Sequence, residues 1–133
     1  MIHALFQINW LAVLAGLVVF FLLGGLWFQL VVGKAYEVAL GTAQKEGVLS
    51  LTGPLLCLAI ITSANNWLMK AIDIHTVCSA LGFGLFVGAG YLVPMIMNIA
   101  INPLFPRPFY YTAINAPFFI GGCVLSCIVM VLI

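Results

Sequence analysis

Residues 8–32 read INWLAVLAGLVVFFLLGGLWFQLVV, with no Asp, Glu, Lys or Arg among them. As a helix rising ~1.5 Å per residue, this run is ~37 Å long, enough to cross the roughly 30 Å hydrocarbon core of a bilayer. Apolar runs recur at 51–69 and 76–101, and a last one, placed at 112–133, starts between Phe109 and Ala116. The 4 basic and 3 acidic residues all fall between these runs. With 65% hydrophobic residues, 5% charged and a mean hydropathy of +1.29, the chain carries far less charge than a soluble domain. Backbone groups in lipid must satisfy one another, and each run is too long for a barrel strand. The reading is an all-α integral membrane protein: an up-down-up-down four-helix bundle forming a single transmembrane domain over 1–133.

Aromatic residues mark the two interfaces. Trp10 and Trp27 stand about 25 Å apart along a helix, close to the core thickness. Trp10 and Trp67 belong to one interface; Trp27, Tyr36, Tyr110 and Tyr111 belong to the other. The opening Met1-Ile2-His3 lacks the basic start of a secretory signal, so the first run is expected to stay as an uncleaved span. Lys34, Lys45 and Arg107 lie in loops one and three, against Lys70 alone in loop two. The positive-inside rule therefore puts both termini on the non-cytoplasmic side, with dual insertion still open. A net charge of +1 offers no patch for nucleic acid and no polybasic segment for anionic lipid. In loop one, Lys34–Leu40 suits a short interfacial helix with Lys34 paired to Glu37, ended by Gly41, and Gly47 marks the return. Pro103, Pro106 and Pro108 make loop three a stiff link.

The third run carries most of the packing information. Ala80, Gly84 and Gly88 repeat at i+4, a small-residue stripe that lets another helix approach closely. Gly82 and Gly90 fall on nearly the opposite face. Small residues on two opposed faces predict that helix three is central. Pro94 removes the hydrogen bond to the Gly90 carbonyl, which predicts a kink there and makes Gly90 and Pro94 a candidate hinge.

Polar side chains at depth are costly and should face protein or water. Gln29, Asn98 and Asn115 share the loop-one and loop-three side and form a candidate polar vestibule, whereas Asn65 and Asn66 lie at the other end. Asn115 also suits the N-cap of helix four, with Pro117 in its first turn. Cys57, Cys78, Cys123 and Cys127 show no paired metal-ligand spacing, and read as small apolar filler, with Cys123 and Cys127 on one face. No metal site and no cofactor are expected. His3 and His75 share an interface. Ser63, Ser79 and Ser126 have no His or carboxylate near them in the spans, so catalysis is not expected.

Asn9-Trp10-Leu11-Ala12-Val13-Leu14 opens helix one, Gly24-Gly25-Leu26-Trp27-Phe28 closes it, and Gly33-Lys34-Ala35-Tyr36 follows. Arg107-Pro108 and Ile114-Asn115-Ala116 stand near the other end. In order and spacing these residues resemble the small four-helix bacterial membrane proteins of the "domain of unknown function 1761" family. The likeness covers both ends of the chain, and its middle through the glycine-rich third helix. Members often carry Trp in place of Tyr36 and Gly-Tyr in place of Pro117-Phe118; the second departure bears on where helix four begins. The resemblance implies the four-helix fold and a bacterial inner (plasma) membrane. It implies no activity, and it offers Asn9, Trp10, Lys34, Arg107 and Asn115 as the residues of any shared site.

Three functional readings follow. The first is a non-enzymatic, self-associating bundle or accessory subunit, with membrane lipids and a second copy or another membrane protein as partners. The alternative is a small transporter or channel protomer, lined by Gln29, Asn98 and Asn115 and moved at Gly90–Pro94. It is similar to small four-helix multidrug exporters in size but lacks a buried carboxylate. The third is a protein that binds lipid or a small ligand in an aromatic groove.

Overall fold

The structure is a computed structural model that describes residues 8–43 and 47–133. It is all-α, with four helices apolar and long enough to cross a membrane: Trp10–Val31, Val48–Ala71, Val77–Ala100 and Pro108–Leu132. His3, Lys45 and Glu46 lie outside the described residues.

Helix α1, Trp10–Leu26, is capped by Asn9, whose Oδ1 accepts the Ala12 N–H at 3.2 Å. It runs on into a π-helical turn, Trp27–Val31. Helix α2, Gly33–Leu40, is the short helix expected in loop one, but no ion pair joins Lys34 to Glu37. Gly41 ends it at φ +71°, where a side chain is strained, and a Cβ would also sit 2.9 Å from Pro106 Cγ. Helix α3, Val48–Ala71, is longer at both ends than its apolar run. It closes in a Schellman motif: the Ile74 N–H reaches the Met69 carbonyl at 2.8 Å, around Asp73 at φ 63°.

Helix α4, Val77–Val87, starts at a Thr76 cap and passes through a π turn, Gly88–Leu92, into α5, Val93–Ala100. The ladder changes in the turn ahead of Pro94, where the Val93 N–H reaches back to the Gly88 carbonyl. Pro94 then occupies the first turn of α5, where its missing donor costs least. Helix α6, Pro108–Leu132, begins earlier than the expected 112, because a proline is well placed at the start of a helix. Asn115 therefore lies two turns inside α6 and is not its N-cap.

The expectation that helix three is central is overturned: α6 holds that place. Of the most apolar window of α6, 39% is buried, against 17% in the third span. The reason is that small residues let other helices come close on two of its faces. On one, Gly16 of α1 packs against Met130 and Ser126, Phe20 lies over Gly122, and Gly24 meets Phe118. This order of contacts makes α1 and α6 antiparallel. On the other face a Cβ at Gly84 would lie 2.7 Å from Val124 Cα, and one at Gly88 would lie 2.8 Å from Ile120 Cα. So the Ala80, Gly84 and Gly88 stripe does seat a neighbour. Gly82 and Gly90, by contrast, face away from the bundle, with no neighbouring helix against them.

Helix α3 packs mainly on α1. Its buried residues are Leu58, Thr62, Asn65, Asn66 and Met69, from its middle to its C-terminal end. The Asn9 N–H donates to Asn66 Oδ1 at 3.3 Å, and Asn65 Nδ2 points to Cys123 Sγ at 3.9 Å. These adjacent amides tie one end of α3 to α1 and α6. The other end stands clear of α4 and α5.

Candidate functional site

Where α3 parts from the bundle, a cavity of about 700 Å³ opens at the loop-one and loop-three end. One wall is α3, through Pro54, Cys57, Leu58 and Ile61; α5 supplies Ile96 and Ile99. The close of α1 contributes Phe21, Gly24, Gly25 and Phe28, and α6 contributes Tyr111, Asn115, Phe118 and Phe119. Tyr36 of α2, with Thr42 and Ser50, completes the loop side. That volume is in the range of small-molecule sites.

The rings hold one another in place. Phe28 meets Phe118 and Tyr36 edge-on, each at 5.1 Å between centroids, and Tyr36 lies 5.6 Å from Tyr111. The Tyr36 and Tyr111 hydroxyls are 3.4 Å apart. Burial pushes the Tyr36 hydroxyl above its ordinary value, and the contact with Tyr111 adds to this, so Tyr36 stays a neutral O–H. Asn115 Nδ2 donates to the Tyr111 carbonyl at 2.7 Å, while the rest of the amide has no further partner among the described residues. Trp27 Nε1 donates to the Ile114 carbonyl at 2.9 Å and fixes α1 to α6 beside the site.

Of the vestibule residues expected from sequence, Asn115 lines the cavity. Gln29 and Asn98 are exposed and do not line it. The motif residues are not gathered in one place. Asn9 caps α1 and Trp10 is exposed at one end; Lys34 and Arg107 are exposed at the other. Tyr36, Tyr111, Phe28 and Cys57 are among the lining residues for which the sequence suggested no place at a site. Tyr36 and Tyr111 had a signal, as tyrosines flanking two different loops, but it reads equally well as an interfacial belt. Ser63 and Ser126 donate to carbonyls of their own helices, and no cluster of metal ligands occurs among the described residues.

The family model described as "Protein of unknown function (DUF1761)" matches residues 11–131, nearly the whole chain. The chain belongs to that family. No curated protein and no solved structure matches it. For this DUF1761 chain the match reaches into all four helices and covers every residue that lines the cavity.

Proposed function

We propose that this protein is a non-catalytic, multi-pass protein of a bacterial plasma membrane that binds a small molecule in the cavity beside α3. The observation that carries the reading is the cavity itself. Its aromatic walls surround one buried asparagine with unused hydrogen-bonding capacity. The chain crosses up-down-up-down with its termini on the non-cytoplasmic side, a reading supported by Lys34 and Arg107 standing at the end opposite Lys70. Movement of α3 at its untethered end would turn a binding site into a transport route.

The test uses a native thiol. Cys57 lines the cavity, Cys78 is exposed on the outer side of α4, and Cys123 and Cys127 are buried. In a Cys78→Ala background, N-ethylmaleimide should alkylate Cys57. Gly25→Phe, whose side chain starts in open space at the cavity, should slow that reaction several-fold without loss of folding. Equal rates in the two proteins would remove the cavity reading.

A second reading is self-association through the outer face of the third span, favoured by the empty space at Gly82 and Gly90. Cys78 lies one turn before Gly82. Oxidation in native membranes should give a Cys78-linked dimer, which Gly82→Leu abolishes; persistence of monomer alone would sink this reading.

A further inference from the structure

We propose that the cavity takes an uncharged, ring-bearing lipophile with one carbonyl or hydroxyl oxygen, admitted from the bilayer between α3 and α5. This rests on the binding reading above and names the class of ligand.

Charge is the first discriminator. Among the described residues, none that lines the cavity is Asp, Glu, Lys, Arg or His. An ion there would lose its hydration and gain no counter-charge, a cost that a neutral molecule avoids. Shape is the second. Phe118 and Phe119 pack at 4.7 Å and 64°, and Phe28 stands edge-on to Phe118, so ring faces and edges together border the space. Such walls favour flat rings in tilted or offset contact.

The polar atoms supply the third discriminator. If one tyrosine hydroxyl donates to the other across 3.4 Å, a single O–H is left over. Asn115 spends one N–H on the Tyr111 carbonyl and keeps the second. Two unused donors near one end of an apolar space suit an oxygen acceptor, and a buried donor left unmet is costly. The route follows from how α3 is held. Residues 48–57 contain no buried side chain, and α3 makes next to no contact with α4 or α5. Cys57 and Ile61 on α3, with Ile96 and Ile99 on α5, thus border a gap that faces lipid.

Benzophenone is a suitable probe, being neutral, ring-bearing and photoreactive at its carbonyl. The full chain in lipid nanodiscs is irradiated with it, and the adducts are mapped by mass spectrometry. Saturable labelling is expected on Cys57, Ile61, Ile96 or Phe118. Fluorenone should displace it at about tenfold lower concentration than fluorene, which lacks the oxygen and so forgoes ~1.4 kcal/mol. Asn115→Leu should erase that tenfold difference while labelling persists. Should that variant misfold, Tyr36→Phe removes a hydroxyl and keeps the ring.

Equal labelling by the anion 4-benzoylbenzoate, at matched concentration in the bilayer, would overturn the neutral class. Equal displacement by fluorene and fluorenone would overturn the oxygen. Both results leave the binding cavity itself standing. Unsaturable labelling spread over lipid-facing Leu22, Leu30 and Phe86 would mean that acyl chains fill the space, and the binding reading falls with the ligand class.

Discussion

Two indole N–H groups meet opposite fates. Trp27 Nε1 reaches the Ile114 carbonyl at 2.9 Å, in the turn loosened by Pro117, whose ring cannot donate to Ala113. Trp67 Nε1 is buried with no acceptor among the described residues. Replacing Trp27 by Phe removes a satisfied bond between helices and should cost about 1 kcal/mol beyond the lost contact area. Trp67→Phe deletes a donor that is already unmet and should cost less. Unfolding in detergent, followed by circular dichroism, orders the two variants; the reverse order would contradict this account. In sequence the two tryptophans look alike, as interfacial anchors. What separates them is whether a carbonyl of another helix lies within reach.

Helices were legible as elements because an apolar run of bilayer length has one satisfactory backbone solution. Their packing was half legible. The Ala80, Gly84 and Gly88 stripe does seat another helix, but the inference to a central third helix failed, because small residues permit close approach without requiring it. α6 presents Gly122 and Ser126 to α1 and receives Gly84 and Gly88 of the third span on another face. A contrast among glycines follows. Gly84→Ala and Gly88→Ala bring a Cβ within 3 Å of α6 backbone and should destabilise by ~1–3 kcal/mol. Gly82→Ala meets nothing and should be neutral or stabilise by up to ~1 kcal/mol through helix propensity. Thermal midpoints of the three variants, measured at equal detergent concentration, check the sign of each.

The whole molecule is closed at one end and open at the other. Asn65, Asn66 and Met69 fasten α3 at the Trp67 end, and the aromatic cavity occupies the end where α3 parts from the bundle. Orientation also belongs to this scale. Lys34 and Arg107 are exposed at the open end, and Lys70 lies at the closed one. A reporter fused to the C-terminus should read non-cytoplasmic. Lys34→Gln with Arg107→Gln should then give mixed orientation, because Lys45 alone is left against Lys70 and the basic bias is gone. A reporter that ignores both substitutions would show that something other than loop charge sets the topology.

Four apolar helices of bilayer length, the family and the short helix of loop one could be read from the chain alone. Each of these depends on local hydropathy, turn chemistry or residue order along the chain. That α6 is central, that α3 stands away at one end, and that Asn115 lines a cavity while Gln29 and Asn98 do not emerged with the packing of the helices. Those outcomes depend on which faces meet. Nearly every face of these helices is apolar, so periodicity cannot mark the one that packs on protein. Close fit between particular side chains makes that choice.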